Sequence, residues 1–332
     1  MQAPLLAPSL RSPQRRRLLA AVGAAAVLGV PGVRAQDAKT IRVIVPYTPG
    51  GVSDAVTRLV VQRMAELLKQ TVIVENMGGA NGQVGSAAAA RATPDGTTLL
   101  AVVAAHAINP SLYAKMAYAP LEDLTGVSQI GHIPLLLVSS AALPPTDLRQ
   151  FVAWAKANPA RATFASSGAG SGAHLAAELL AQTAGVPMTH VPYRGMAPAL
   201  PDLFSGQVAL AYDSVQTMMP HVQAGKLRAL AMTSAKRWPA APEVPTIAEA
   251  GYPPLTGGSW IGLLAPAKTP RDALARLSGA AQQAIAAPDL HAKLVGYGID
   301  PVGGTPEQFD AFIRSEAQRW GDVVRKANIR LD

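Results

Sequence analysis

Three stretches of this sequence combine glycine with hydroxyl or carboxylate side chains where strands should hand over to helices. The first runs Tyr47-Thr48-Pro49-Gly50-Gly51-Val52-Ser53-Asp54, and the second is Gly78-Gly79-Ala80-Asn81-Gly82. The third is Ser166-Ser167-Gly168-Ala169-Gly170-Ser171-Gly172. The chemistry such loops offer is anion binding. Glycine lets the backbone approach a ligand closely, and free N–H groups at a helix start carry a partial positive charge that suits a carboxylate. Each loop alone is an ordinary tight turn. Three of them in one chain point to an anion site without naming the anion.

Catalytic signatures are missing from the same sequence. The third loop lacks the glycine spacing of a dinucleotide fingerprint, and no phosphate loop ending in Gly-Lys-Ser/Thr occurs. Ser259 lies in Gly257-Gly258-Ser259-Trp260-Ile261, which fails the nucleophile-elbow pattern because its last position is not glycine. The six histidines form no His-x-x-x-His pair. With no cysteine, a thiol nucleophile, a thiolate metal site and a disulfide are all excluded. We therefore expect no catalytic residue, no metal site and no cofactor, and read the chain as a binding protein rather than an enzyme.

The elements that must position the loops are legible from periodicity. Residues 41–46 form a nearly continuous apolar run, as expected of a strand covered on both faces. After the first loop, Val52, Val56, Leu59, Val60, Met64 and Leu67 recur at helical spacing. The strand pattern returns at 71–74, 98–103, 133–138, 162–166, 187–191, 207–212, 226–232 and 260–265. Helices are expected at 147–158, 173–184, 272–286 and 306–327. This alternation predicts an α/β fold with mostly parallel sheets covered by helices. In such sheets the strand-to-helix loops gather at the carboxyl ends of the strands, where ligands bind.

Single side chains suit more than one role. Asp54 can meet a ligand or sit at the positive end of its helix, and Asp213 can cap a helix or contact a ligand. Tyr193 can reach the cleft or pack in the core. His106 follows a strand and can face the cleft. His174 suits capping or packing, and Trp260 suits the core.

Length and charge narrow the class. A chain of 332 residues suggests about two domains, but no long Pro/Ser linker marks a simple boundary. The formal charge is +8, yet Arg11, Arg15, Arg16, Arg17 and Arg34 fall in a leading segment with no acidic residue. Without those five the balance is +3, and the remaining basic residues are scattered, so nucleic-acid binding is not expected. The leading segment reads as a targeting sequence. It has Arg15-Arg16-Arg17, an apolar run over 18–30 and a small-residue site ending at Ala35, where we expect cleavage. The basic stretch also weakly resembles a twin-arginine signal. With no cysteine for a lipid anchor, the mature protein is expected free in the periplasm, as a monomer.

An ordered series of short motifs resembles the Bug family, the extracytoplasmic binding proteins of tripartite tricarboxylate transporters. The series starts with Pro46-Tyr47-Thr48-Pro49-Gly50-Gly51, with Asp54 and Arg58, then Val74-Glu75-Asn76 and Gly79-Ala80-Asn81-Gly82. It continues through Pro94-Asp95-Gly96, His174-Leu175, Val191-Pro192-Tyr193-Arg194-Gly195 and Val244-Pro245-Thr246, and ends at Thr269-Pro270. The resemblance implies two doubly wound α/β domains joined by crossing strands, like a type II periplasmic binding protein, with the ligand in the cleft between them. On that pattern residues 36–136 and 257–332 make the first domain and 137–256 the second. It also implies capture of a small carboxylate and delivery to membrane transporter subunits, with presentation to a sensor kinase as the alternative. The ligand contacts implied are Tyr47, Gly50, Gly51, Ser53 and Asp54 on one side, and Ser166, Ser167, Gly170, Tyr193 and Asp213 on the other. Met77-Gly78, Met196, Ser205 and Ala209 depart from the family pattern. Met196 beside Tyr193 suggests a more apolar pocket, suited to an aromatic or branched acid.

Overall fold

The computed structural model describes residues 40–255 and 258–331. The expected targeting segment, residues 1–35, lies outside them.

Two mixed sheets form two α/β lobes. The first has the order β11-β4-β10-β3-β1-β2, with β1 at Ile41–Val45, β2 at Val72–Asn76, β3 at Thr98–Val103, β4 at Leu124–Ile133, β10 at Ser259–Pro266 and β11 at Asp300–Pro301. The second has the order β7-β6-β8-β5-β9, with β5 at Leu135–Ser140, β6 at Thr163–Ser166, β7 at Thr189–Pro192, β8 at Leu210–Ser214 and β9 at Leu227–Met232. The expectation of mostly parallel sheets is corrected: β10 is antiparallel to β3 and β4, β11 to β4, and β5 to β8 and β9. For β10 and β5 the reason is the route of the chain. It leaves the first lobe at the end of β4 and enters β5 through Pro134. It returns to start β10 opposite the ends of β3 and β4, where Ile261 pairs with Val103 and Ser259 with Ile133. A strand that enters from the cleft end has to run backwards.

Apolar strands sandwiched by helices make the cores. Helix α1 (Val52–Leu68) buries Val56, Val60, Val61 and Met64 in one cluster with Leu277, Ala281 and Ala284 of α8 (Arg271–Ala286). On the other face, α2 (Gln83–Ala90), α3 (Ala105–Leu112) and α10 (Pro306–Ala327) pack around Trp260, Phe309 and Trp320. Helix α10 starts with a capping box, Thr305 with Gln308, and Pro306 at its first position. Its buried Glu316 accepts both indole N–H groups, Trp260 at 3.2 Å and Trp320 at 2.8 Å, and pairs with Arg319. The second lobe is covered by α4 (Leu148–Ala157), α5 (Gly172–Ala184), α6 (Leu200–Ser205) and α7 (Val215–Gln223). The remaining helix, α9 (Pro288–Gly296), precedes β11.

Most expected elements are present, and the departures have local causes. Strand β4 was not legible because Gly126 and Gly131 interrupt it. A β-carbon at Gly126 would meet Pro306 O at 2.9 Å, and one at Gly131 would meet Asp300 O at 2.5 Å. Glycine is needed there for α10 and β11 to lie against the strand. The expected strand at 133–138 is in fact the junction of β4 and β5, broken by Pro134.

Candidate ligand-binding site

Strands β1, β2 and β3 end at the same edge of the first sheet, where the chain crosses between lobes. In the second sheet β6, β7 and β8 end at the edge where β5 begins, with Leu135 opposite Ser214. The three glycine loops therefore lie at the crossover end of their sheets.

The first loop is built around Asp54. Its carboxylate is buried, at 4 % exposure. Oδ2 accepts Gly50 N–H at 3.0 Å, while Oδ1 accepts Arg58 Nε at 3.0 Å and Asn76 Nδ2 at 2.9 Å. Burial works to raise its pKa, but the bonds from Arg58, Gly50 and Asn76 together hold it below the usual carboxylate range. Three donors of its own lobe already bond this carboxylate, so Asp54 shapes the loop. Gly50 has φ +88, a backbone state that only glycine adopts freely. Gly51 is exposed and precedes α1 with no side-chain cap, which leaves the first N–H groups of that helix to an outside partner. Ser53 is partly buried in the first turn, and its carbonyl accepts Thr57 Oγ1 at 2.6 Å.

Tyr47 reaches across to the second loop. A β-carbon at Gly82 would lie 3.0 Å from its hydroxyl, so the ring rests on Gly82. Burial, and then the neighbouring Tyr118, drive its pKa above the ordinary phenol value. In the second loop Gly79, Ala80, Asn81 and Gly82 all have positive φ. Ala80 and Asn81 are strained there, and a reciprocal pair holds the turn: Asn81 Nδ2 donates to Asn109 Oδ1 at 2.8 Å, and Asn109 Nδ2 to Asn81 O at 3.0 Å.

The third loop is tied down from inside its own lobe. Ser166 is fully buried, and its hydroxyl is 2.6 Å from His190 Nε2 and 3.0 Å from Gly168 O. Gly170, at φ +77, donates its N–H to His174 Nδ1 at 3.0 Å. A β-carbon on it would come within 2.6 Å of Leu112 and 2.8 Å of Leu331, both of the first lobe. Ser166 and Gly170 thus turn their polar groups inward, whereas Ser167 is exposed. Ser171 caps α5 by accepting His174 N–H at 3.2 Å.

Asp213 lies within β8, opposite Leu136, rather than after it. Its Oδ1 accepts the N–H of Ser214 at 2.6 Å, and burial raises its pKa against bonds from Ser214 and Thr217. The cap of α7 is Ser214, whose Oγ accepts Thr217 N–H at 3.3 Å, so Asp213 is left half-buried without the capping role. Tyr193 gives its hydroxyl to Asp202 at 2.5 Å. Burial, then Asp202, push its pKa up to about 12. Met196 is 5 % exposed inside a core cluster with Ala199, Leu203 and Met218. The expectation that it lines an apolar pocket is therefore corrected, and with it the case for an aromatic acid. His106 also departs from expectation: it is buried against Tyr118 and its Nδ1 has no partner.

The reading of single residues missed Asn76, Asn109 and His190. The signal available for Asn76 was an amide at a strand end just before a glycine turn, and it is weak; Asn109, inside α3, carried none. A cavity of about 260 Å³ also opens beside the crossover, lined by His132, Trp260, Asp300 and Phe312 among others, but by none of the ten expected contacts. Among the described residues no cluster of His, Asp or Glu is arranged to hold a metal, and no helix is long and apolar enough to cross a membrane.

Residues 56–329 match the family described as the tripartite tricarboxylate transporter family receptor. This chain belongs to that family. The receptor is 36 % identical to BugT of Bordetella pertussis over 321 residues, which cover 95 % of this chain and 98 % of BugT. Among solved structures, the periplasmic binding protein BugD is 31 % identical with a TM-score of 0.73, covering 88 % of the receptor and 99 % of BugD. Rpa4515 of R. palustris, solved with adipate, is 34 % identical with a TM-score of 0.76, covering 88 % and 98 %. MatC from Rhodopseudomonas palustris, with bound malate, is 35 % identical with a TM-score of 0.71, covering 86 % and 98 %. The receptor thus shares the periplasmic-binding-protein fold and belongs to a family of solute receptors rather than enzymes.

Proposed function

We propose that this receptor is exported to the periplasm and captures a small carboxylate between its lobes for delivery to the membrane subunits of a transporter. The ligand class put first is an aliphatic dicarboxylate. The observation that carries the reading is the uncapped start of α1, beside exposed Gly50 and Gly51, at the crossover end of the sheet. There a carboxylate completes the free N–H groups and meets the positive end of the helix dipole. Relatives of the same fold that hold adipate and malate support the class.

In this proposal Gly50, Gly51 and Ser53 hold one carboxylate, and Tyr47 forms the wall beside them. Ser167, Tyr193 and Asp213 face the rest of the ligand from the second lobe, with Asp213 accepting from a ligand hydroxyl or amine. Asp54, Ser166 and Gly170 keep the loops in shape. The domain division proposed is 36–136 with 257–332, and 137–256.

Residues 36–332, unfolded and refolded to strip any carried-over ligand, should melt higher with one group of small acids. Ligand at ~1,000 times its dissociation constant adds ~4 kcal/mol to the native state. For a chain of this size each kcal/mol moves the midpoint by about 2–4 °C. A panel of dicarboxylates, tricarboxylates and amino acids that moves the midpoint nowhere overturns the proposal.

A further inference from the structure

We propose that His174 and His190 act as a positioning pair, holding the third loop in its ligand-ready shape only while both rings are neutral, so that acid releases the captured carboxylate. The release of ligand rests on the carboxylate reading above; the coupling of the loop to the two rings does not.

The two imidazoles are stacked face to face, with centroids 3.8 Å apart and planes 11° from parallel. Phe164 extends the stack from β6, 4.9 Å from His190 at 17°. Both ends of the loop terminate on this stack: the Ser166 hydroxyl on His190 Nε2 at 2.6 Å, and the Gly170 N–H on His174 Nδ1 at 3.0 Å. Between them Gly168 and Gly170 hold φ of +141 and +77. The loop's shape therefore depends on those two bonds more than on its intrinsic preference.

Protonation acts directly on the bond between Gly170 and His174. In the neutral ring Nδ1 of His174 accepts, which places the ring proton on Nε2, facing Glu178 Oε1 at 3.7 Å. A second proton on Nδ1 turns that acceptor into a donor aimed at the Gly170 N–H, and the buried bond breaks. Gly170 also forms the contact with Leu112 and Leu331 of the first lobe, so releasing it loosens the seam between the lobes.

The groups facing the pair can be named element by element. From α5 comes Glu178, which favours the charged form. From β6 come Phe164 and Ser166, neither charged, and from β7 comes His190 itself. A charge on either ring opposes a charge on the other at stacking distance. Burial, then the adjacent His174, push His190 down to about 4, with Glu178 acting in the opposite direction.

The test is a pH titration of the ligand-free, isotope-labelled receptor by NMR, following the Gly170 amide and the ring signals of both histidines. The expected result is one shared transition in which the Gly170 amide moves together with the rings, with His190 held below the ordinary histidine value of ~6.5. His190→Phe keeps a flat ring in the stack and removes one charge, so the Gly170 midpoint should move to higher pH. A Gly170 amide that stays still while the rings titrate overturns the proposal, as do rings that titrate separately near 6.5. Because the wild-type titration is itself decisive, a variant that does not fold costs nothing. In a second arm, adipate and malate binding is measured at pH 7 and pH 4.5 for wild type and His190→Phe, which cancels protonation of the acids themselves. At pH 4.5 the variant should bind at least several-fold more weakly relative to wild type, and equal affinity overturns the release of ligand. Failure of either acid to bind at any pH counts against the carboxylate reading, while the NMR arm still decides the coupling of loop to rings.

Discussion

The side-chain amide of Asn76 donates to Asp54 Oδ1 at 2.9 Å and to Tyr47 O at 3.1 Å, which ties the end of β2 to both ends of the first loop. Its carbonyl oxygen accepts Arg58 at 2.8 Å, so every polar atom of the side chain is used. The first loop is thus held by a closed network of Asp54, Arg58 and Asn76, and its glycines stay free to face outward.

Replacing Asp54 separates positioning from direct contact. Asp54→Asn puts an NH2 donor where one oxygen now accepts and removes the charge that Arg58 pairs with, which should cost about 1–3 kcal/mol of stability. Thermal melting should fall and carboxylate affinity should drop with it. Loss of affinity at an unchanged melting temperature would show instead that Asp54 touches the ligand.

Gly82 and Tyr47 should be coupled. Gly82→Ala places a non-glycine residue at φ +86, which costs about 1–2 kcal/mol, and drives its methyl group to 3.0 Å from the Tyr47 hydroxyl. Adding Tyr47→Phe removes that oxygen and should recover part of the loss in a double-mutant cycle. Strictly additive effects would mean that the ring does not rest on the turn.

Gly170→Ala tests the seam between the lobes. The added methyl must displace Leu112 and Leu331, an overpacking of about 1–3 kcal/mol, at a position whose φ already disfavours alanine. Because the contact joins two lobes, we expect carboxylate affinity to fall by about 10-fold, near 1.4 kcal/mol. X-ray scattering should show less compaction with ligand than in wild type; identical compaction would refute the wedge.

Acid should destabilise the fold before its carboxylates titrate. Burial pushes His106 down to about 4, against a hydrogen bond that its ring donates to the backbone carbonyl of Pro120. Its unfolded value is ~6.5, so the unfolded chain binds the extra proton first. Stability is full above pH ~6.5 and is lost as the pH falls toward 4. Asp54, held below its ordinary value, adds a loss at lower pH still. His106→Gln should flatten the upper part of this slope in melting experiments, and an unchanged slope would show that His106 does not titrate there.

The strands and amphipathic helices were legible because each announces itself within ten or twenty residues: an apolar run over 41–46, an apolar stripe from Val52 to Leu67. The loops were legible as glycine-rich turns at strand ends. What each loop residue does was not. Asp54 looks the same in sequence whether it meets a ligand or three donors of its own lobe, and Asn76, 22 residues away, carries no local mark of its partner. Met196 reads as a pocket residue beside Tyr193 until the core closes around it.

By itself, then, the sequence determined an α/β binding protein without catalytic machinery, whose short motifs place it in its family. Those properties rest on local periodicity and residue type. Only the tertiary structure decided that β5 and β10 run backwards, that Gly126 and Gly131 permit β4 to pack, and that Ser166 and Gly170 point into a histidine stack. Each of these depends on atoms brought together from distant parts of the chain, where packing and hydrogen-bond satisfaction outweigh what any neighbouring residues prefer.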